Sequence, residues 1–208
     1  MRFETWNPLA GECPHKCAYC YAHKYKAYPS SLSKYSGPLR LDAPAMAKRL
    51  GGGKLYFVCS MNDLFAAAVP RELVLEILGK ISRWPQNEYL FHTKNPARLA
   101  EFKDLFPYYS RFGVTIETDA YPPGFLTAAP PPAERALAFG LFEHPRKSVS
   151  MEPVMEFNLE NYLRLMQAAK PALVHIGRDS KDNRLPEPSE KKLDELRRRL
   201  SKLGMECV

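Results

Sequence analysis

The 208-residue sequence predicts one α/β domain, spanning residues 1–208, in which helices cover a parallel β-sheet. The length suits a single hydrophobic core, and 45% hydrophobic with 25% charged residues is typical of globular proteins. Short apolar runs and helical stretches alternate six times, which implies parallel strands joined by helices. No internal repeat or shift in composition marks a second domain.

The predicted elements follow one another in strand–helix order. The strands are Arg2–Thr5, Lys54–Cys59, Tyr89–Thr93, Phe112–Glu117, Val149–Glu152 and Leu173–Gly177. The helices are Ala43–Leu50, Arg71–Arg83, Pro96–Phe106, Ala133–Phe139, Leu159–Lys170 and Glu190–Leu203. Both an open doubly wound sheet and a partial barrel fit this alternation.

Turn residues and side-chain periodicity justify these elements in order. "LGGGK" ends the first helix, and Pro70 and Pro96 begin the next two. The last three strands lie in "FGVTIET", "SVSMEPV" and "LVHIGRD", where apolar and polar residues alternate with the period of a strand. The last helix has a leucine stripe at helical spacing, formed by Leu193, Leu196, Leu200 and Leu203, and Gly204 follows it.

Two proline-rich loops follow strands and are predicted to be stiff. They are "TDAYPPGFLTAAPPPAE" after the fourth strand and "RDSKDNRLPEPSE" after the sixth. In either arrangement, the loops beyond the carboxyl ends of the strands form the active face. A cysteine-rich segment follows the first strand and therefore belongs to the same face.

Polar residues at three strand ends predict a bound polar ligand. Glu117, Glu152 and His175 alternate with apolar neighbours, so they point to a common interior. A parallel strand that is buried on both faces should instead be apolar throughout. The alternative is a set of buried polar groups that satisfy one another.

The net charge of +7 and the pI near 9.1 are mildly basic. Much of this charge lies in "EKKLDELRRRLSKLG", which we interpret as the solvated face of an amphipathic helix, with a nucleic-acid surface as the alternative. The start, "MRFETWNPLAGEC", has no signal-peptide pattern, and no apolar run is long enough for a membrane span. These observations predict a cytoplasmic protein with no membrane partner, in which the five cysteines serve as metal ligands or catalysts rather than disulfides.

The segment "GECPHKCAYCYAHKY" contains three closely spaced cysteines, Cys13, Cys17 and Cys20. A structural zinc ion needs four ligands, and His15 or His23 could supply the fourth. A ferredoxin-type cluster also takes four cysteines, and Cys59 or Cys207 could complete that set. A third possibility is an iron–sulfur cluster held by three thiolates, which leaves one iron open to a small molecule.

The pattern Cys13-x-x-x-Cys17-x-Tyr19-Cys20, placed after the first strand, resembles the signature of the radical SAM superfamily. This resemblance implies a partial (β/α)6 TIM-type barrel over nearly the whole chain. It also implies a 4Fe–4S cluster whose open iron binds S-adenosylmethionine (SAM). An electron from the cluster then cleaves SAM to a 5′-deoxyadenosyl radical, which abstracts a hydrogen atom from the substrate.

The resemblance further implies contacts to SAM. Tyr19 would lie near the adenine, and Ser60-Met61-Asn62-Asp63 replaces the Gly-Gly-Glu-like stretch that binds the methionyl amino group. Lys94 would pair with the methionyl carboxylate. The remaining contacts fall at later strand ends: ribose hydroxyls or the amino group at Glu117 and Glu152, and adenine at Ile176 and Gly177.

Within the superfamily, the chain is similar to a small uncharacterised group in prokaryotes and phages that shares Trp6-Asn7-Pro8 and Cys20-Tyr21-Ala22. It is also partly similar to the spore photoproduct lyase family. The shared residues there are Tyr19, Tyr21, Cys59, Thr93 and Lys94, although the spacing after Cys59 is one residue longer. This similarity implies that Cys59 and Tyr21 return a hydrogen atom to a product radical. A buried structural cysteine is the alternative for Cys59.

The implied partners are SAM, an electron donor such as flavodoxin or ferredoxin, and a substrate. A short chain leaves few elements to enclose the barrel, so we expect a macromolecular substrate, and the positive charge favours nucleic acid over protein. The alternative function is a non-enzymatic iron–sulfur or zinc-bearing module that binds nucleic acid.

Overall fold

The computed structural model describes residues 2–22 and 27–208, and its main feature is a seven-stranded parallel sheet. The strand order is β1-β4-β5-β6-β7-β8-β9. The strands are β1 Arg2–Trp6, β4 Lys54–Val58, β5 Glu88–Thr93, β6 Ser110–Thr115, β7 Lys147–Met151, β8 Leu173–Ile176 and β9 Glu206–Cys207. Two short strands, β2 Leu9–Ala10 and β3 Arg40–Leu41, form a separate antiparallel pair.

Helices connect the strands. They are α1 Pro29–Lys34, α2 Ala43–Ala47, α3 Arg71–Ile81, a 3₁₀ helix Pro96–Leu105, α4 Pro132–Leu141, α5 Leu159–Ala169 and α6 Glu190–Lys202. Side-chain caps fix the starts of three of them: Asp42 accepts from the backbone N–H of Ala45, Asn158 from that of Asn161, and Ser189 from that of Lys192. Among the described helices, none has both the length and the apolar character that crossing a bilayer requires.

The predicted α/β class and parallel sheet are confirmed, with element ends shifted by a few residues. The strand order follows the chain order, whereas an open doubly wound sheet reverses its order at a switch point. The stretch from Pro96 forms a 3₁₀ helix rather than the α-helix that we predicted. The sequence did not predict α1, β9 or the β2–β3 pair, because the three strands have only two residues each and α1 has no buried residue that would give it an apolar stripe.

The two faces of the sheet differ. On one face the side chains pack against the helices, as shown by Tyr56 of β4 and Tyr89 of β5, which are fully buried and stack with ring centroids 6.1 Å apart. An aromatic cluster extends this core, formed by Phe65, Phe91, Phe102, Phe106 and Phe112. On the other face, half-buried side chains such as Phe57 and His92 line a cavity. The predicted alternation of strand faces is therefore confirmed.

Helix α6 matches the interpretation of a solvated amphipathic helix. Leu193, Leu196 and Leu200 are buried, whereas Leu203 is 42% exposed and lies outside the buried stripe. The basic residues of this helix are largely ion-paired: Arg197 with Glu190 and Asp194, Arg198 with Glu195, and Arg199 with Glu160. These acidic partners neutralise much of the charge that the sequence concentrates here.

Candidate functional site

A cavity of about 830 Å³ brings most of the predicted site residues together. Its walls include the carboxyl ends of β4, β5, β7 and β8 and the cysteine-rich segment, which we call the cysteine loop (residues 11–22). Predicted site residues on its walls are Cys13, Cys17, Tyr19, Cys20, Tyr21, Cys59, Ser60, Met61, Asn62, Asp63, Lys94 and Glu152. Of the three polar residues that strand alternation predicted to share an interior, Glu152 and His175 line this cavity, whereas Glu117 does not; Ile176 and Gly177 also lie outside its lining.

The three cysteines of the loop share this cavity as free thiols. Cys17 is buried, and Cys13 and Cys20 are half-buried. Burial, together with the nearby charge of Asp63, raises the pKa of Cys13 to about 11, and burial also raises the pKa of Cys17. Within residues 2–22 and 27–208, no three His, Cys, Asp or Glu side chains are grouped closely enough to hold a metal ion. His23, one candidate fourth ligand, lies outside the described residues.

The first proline-rich loop holds the cysteine loop in place, and we call its residues 121–129 the clasp. The backbone N–H of Ala18 donates to the carbonyl of Leu126 at 2.9 Å, and the N–H of Ala128 donates to the carbonyl of His15 at 2.7 Å. Between these two bonds, Oγ1 of Thr127 lies 3.4 Å from Sγ of Cys17. The sequence predicted a stiff loop here but not its contact with the cysteines.

Asp63 ties the cysteine loop to the ends of β4 and β5. Its carboxylate lies 2.8 Å from Nε2 of His15 and accepts from the Thr93 hydroxyl at 2.8 Å and from the backbone N–H of Lys94 at 2.6 Å. Burial favours the neutral acid, but the hydrogen bond and charge of His15, with the bonds from Lys94 and Thr93, outweigh it and lower the pKa of Asp63. Asp63 is therefore a saturated carboxylate that orients His15.

The other residues of the Ser60–Asp63 stretch differ in which of their polar atoms already have a hydrogen-bond partner. Oδ1 of Asn7 accepts from the Ser60 hydroxyl at 3.1 Å and from the N–H of Met61 at 3.3 Å, and the Tyr21 hydroxyl donates to the Ser60 carbonyl. Nδ2 of Asn62 donates to two backbone carbonyls, those of Leu9 and Gly11. The buried Oδ1 of Asn62, by contrast, has no hydrogen-bond partner among the described residues.

Asn62 is one of the residues that line the cavity, so its unpartnered amide oxygen is a candidate contact for a ligand. A buried polar atom without a partner costs about 1–3 kcal/mol, so native proteins seldom keep one without a function. An amide oxygen is an acceptor only, and it therefore calls for a donor such as an ammonium group.

Glu117, which the resemblance assigned to SAM, is fully buried at the centre of a polar network. Its carboxylate pairs with Arg135 at 2.8 Å, accepts from the Tyr121 hydroxyl at 2.7 Å and also accepts from the Tyr19 hydroxyl. Burial disfavours the charged form, but the positive charge of Arg135, and then that of Lys94, lower the pKa of Glu117. The network fixes Tyr19, the residue directly before Cys20, while a direct contact of Glu117 with SAM stays a prediction.

Arg135 was missed by sequence reasoning, although a signal existed. It lies in α4 beside Ala136 and Phe139, all three fully buried, so an arginine occupies the apolar face of a helix. A buried arginine requires an anionic partner, which here is Glu117.

Lys94 and His92 place basic groups in the middle of the cavity. Nζ of Lys94 lies 5.2 Å from the centroid of the Tyr19 ring and 3.4 Å from Oγ1 of Thr115. Nε2 of His92 lies 2.9 Å from the same hydroxyl. Burial, reinforced by the charge of Lys94, lowers the pKa of His92 to about 4, so its imidazole is neutral at pH 7.

The residues that follow β7 and β8 lie close to each other. A Cβ at Gly177 would lie 2.7 Å from the carboxyl carbon of Glu152, so a larger residue at this position would require the Glu152 side chain to shift. Ile176 is half-buried, and its N–H donates to the carbonyl of Val208 at 2.8 Å.

Cys59 lies at the end of β4 with a left-handed backbone, at φ 57°. It is buried, and burial raises the pKa of its thiol to about 12. Tyr21 bonds to the next residue, Ser60, which brings the two predicted hydrogen-transfer residues to the same part of the cavity.

Comparisons with known proteins agree with this fold. A family model described as "Protein of unknown function (DUF5131)" matches residues 2–125, which include the cysteine loop. No curated protein matches the chain in sequence.

Solved structures of spore photoproduct lyase are similar in fold. A variant with bound AdoMet and dinucleoside spore photoproduct is 13% identical, with a TM-score of 0.56, over 95% of this chain and 61% of the other. The enzyme complexed with dinucleoside spore photoproduct is 14% identical, with a TM-score of 0.56, over 96% and 74% of the two chains. A further variant is 14% identical, with a TM-score of 0.58, over 98% and 75%. This chain thus spans from 61% to 75% of these proteins, and the likeness concerns the fold.

Proposed function

This chain belongs to the DUF5131 family of proteins of unknown function, and from its cavity we propose that it is a radical SAM enzyme, which cleaves SAM reductively at a three-cysteine 4Fe–4S cluster. The main support is that one cavity is lined by the three cysteines and by Asn62, whose buried amide oxygen has no partner among the described residues. The likeness in fold to spore photoproduct lyase adds support.

We propose that the cysteine loop supplies the three protein ligands of the cluster. Cys13, Cys17 and Cys20 would hold it, and their thiols would lose their protons and move together on binding. The clasp bonds to the backbone of the loop at His15 and Ala18, between the first and third cysteine, and so supports the loop where the cluster would bind. When bound, such a cluster supplies the electron that cleaves SAM to methionine and a 5′-deoxyadenosyl radical.

We propose that SAM binds in the same cavity. We assign the methionyl ammonium to Oδ1 of Asn62, because Asp63 is saturated and the Ser60 hydroxyl is engaged with Asn7. Lys94 offers a positive charge for the methionyl carboxylate. The remaining contacts are those that the resemblance implies. Adenine would contact Tyr19, Ile176 and Gly177, and the ribose hydroxyls or the amino group would contact Glu117 and Glu152.

We propose that Cys59 and Tyr21 return a hydrogen atom to the product radical. The high pKa of Cys59 keeps a hydrogen on its sulfur at neutral pH, and the Tyr21 hydroxyl bonds to the adjacent Ser60. A Cys59→Ala variant should still cleave SAM but should lose formation of the final product.

We also propose that the sheet curves as a partial (β/α)6 barrel and that residues 1–208 form one radical SAM core domain. One cavity is lined by the same face of five neighbouring strands, β4 to β8, which is expected if that face is concave. Cysteines that stay free as thiols are typical of a reducing compartment, so the cytoplasm belongs to the proposal. Reductive cleavage of SAM also requires an electron donor, such as flavodoxin or ferredoxin.

Nucleic acid is the substrate class that we favour. Several basic side chains line the cavity and outnumber the acidic ones, among them Lys16, Lys94, Arg111, Arg146, Arg178 and Lys181. Two of the similar structures hold a dinucleoside spore photoproduct. Binding of an oligonucleotide that weakens steeply with salt would support this class, and no binding even at low salt would remove it.

SAM cleavage is the direct test of the proposed function. The chain is loaded anaerobically with iron and sulfide, reduced with dithionite and assayed for 5′-deoxyadenosine. Cys13→Ala, Cys17→Ala and Cys20→Ala should each abolish product, whereas Cys207→Ala, which changes a cysteine of β9, should retain it. Full activity in any of the three loop variants would contradict the assigned ligands.

A zinc-bearing, non-enzymatic module that binds nucleic acid is the second candidate. It is favoured by the contact between Asp63 and His15, since a carboxylate bonded to one imidazole nitrogen commonly orients the other toward a metal. Cys13, Cys17, Cys20 and His15 would then form a four-ligand site. Metal analysis separates the two candidates: one zinc per chain favours this module, and about four irons favour the enzyme.

A further inference from the structure

Thr127 of the clasp contacts the sulfur of Cys17. Its Oγ1 lies 3.4 Å from Sγ of Cys17, accepts from the N–H of Ala129 at 3.1 Å and lies 3.4 Å from the carbonyl oxygen of His15. A hydroxyl has one proton to donate, so it can serve only one of the sulfur and the carbonyl at a time.

The proton of this hydroxyl is best directed to the sulfur once Cys17 is a ligand. A cysteine that binds iron does so as a thiolate and has no proton of its own to donate. The carbonyl of His15 already accepts from Ala128 at the shorter distance of 2.7 Å. The Cys17 sulfur, and not the His15 carbonyl, is therefore the acceptor that needs the hydrogen bond from the Thr127 hydroxyl.

The backbone fixes the position of this hydroxyl. The residues on both sides of Thr127, Leu126 and Ala128, hydrogen-bond to the cysteine loop through main-chain atoms at 2.9 and 2.7 Å. Threonine is also branched at Cβ, which restricts its rotamers. Substitution of the Thr127 side chain therefore leaves both backbone bonds in place.

We propose that Thr127 is a positioning residue that donates a hydrogen bond to the Cys17 ligand sulfur and thereby raises the reduction potential of the cluster. A donor beside a ligand sulfur stabilises the reduced, more negative state, and hydrogen bonds to sulfur are among the groups that set such potentials. The inference rests on the proposed function, because it requires that a cluster binds at the three cysteines.

The test is a redox titration of the reconstituted protein, followed by electron paramagnetic resonance. Thr127→Val removes the hydroxyl at nearly constant shape, and Thr127→Ser keeps it. At equal iron content, the valine variant should titrate at a more negative potential, and the serine variant should match the unmodified protein. Equal potentials for the valine variant and the unmodified protein would overturn the inference.

Iron loading separates this inference from the proposed function. If the valine variant takes up no cluster, Thr127→Ala replaces it in the comparison, since alanine removes the hydroxyl and adds no bulk. An alanine variant that titrates like the serine variant would again overturn the role of Thr127. An unmodified protein that takes up no cluster would instead contradict the proposed function itself.

Discussion

Asn62 has an amide nitrogen with two backbone acceptors and a buried amide oxygen without any partner among the described residues. We predict that Asn62→Ala weakens SAM binding about 10- to 100-fold, because a hydrogen bond to a charged group contributes about 1.5–3 kcal/mol. Isothermal titration of the iron-loaded protein measures this affinity. Asn161→Ala on α5, an exposed asparagine that bonds to Asp119, is the control and should bind SAM normally. Unchanged affinity in Asn62→Ala would refute the assigned contact.

The buried pair of Glu117 and Arg135 gives a second prediction for single residues. Glu117→Ala leaves the guanidinium of Arg135 unpaired at a site with no solvent exposure, so unfolding should become easier by about 3–5 kcal/mol. Arg198→Ala breaks an exposed pair with Glu195 and should lower stability far less, because water and salt screen exposed charges. Urea denaturation compares both variants with the unmodified chain, and similar losses for the two would contradict the buried network.

His92 predicts how stability depends on pH. Its pKa is about 4 in the folded chain against an ordinary 6.5, so between these values the unfolded chain binds a proton that the folded chain does not. The free energy of unfolding should therefore fall as the pH falls through this window, by up to about 3 kcal/mol from this residue. His92→Gln should flatten the profile between these values, as measured by urea denaturation at several pH values. Parallel profiles would show that His92 is not responsible.

For single residues, the sequence predicted on which face of a strand a side chain lies better than it predicted which residue that side chain contacts. Period-two alternation placed Glu152 and His175 on the cavity wall, as the structure has them. The same pattern could not show that Glu117 pairs with Arg135, because α4 reaches β6 only through tertiary packing. The periodicity of a strand indicates the face on which a side chain lies, but it does not indicate which distant residue the side chain contacts.

Among the elements, the packing of α4 on α5 depends on one glycine. A Cβ at Gly140 of α4 would lie 1.9 Å from the carbonyl oxygen of Ala168 in α5, whereas a Cβ at Gly79 of α3 meets no atom within 4 Å. Gly140→Ala should therefore destabilise the fold by about 1–3 kcal/mol or more through overpacking. Gly79→Ala, the matched control, should stabilise it by about 0.5–1 kcal/mol through helix propensity. Thermal unfolding measures both, and a stabilising Gly140→Ala would contradict the close helix contact.

The clasp shows the limit of prediction for a whole element. Its prolines indicated a stiff loop, which is a local property of the backbone. Its function in the structure, to hold the cysteine loop through Leu126, Thr127 and Ala128, depends on contacts more than 100 positions apart in sequence. Such contacts leave no trace in composition or spacing.

For the whole molecule, the sequence predicted the α/β class but left two strand orders open. Alternating strands and helices specify parallel pairing, because each connection is long enough to cross the sheet. They do not specify which strands become neighbours, since that depends on how the helices pack together. The structure places the strands in chain order, from β1 at one edge to β9 at the other.

The proposed enzyme depends on a cluster with three protein ligands and one iron left open to SAM. Mössbauer spectroscopy of the anaerobically loaded protein, recorded with and without SAM, tests this most directly. We predict about four irons per chain, one of which changes its spectrum when SAM is added while the others do not. Iron that does not respond to SAM, or a single zinc ion in its place, would contradict the proposed enzyme.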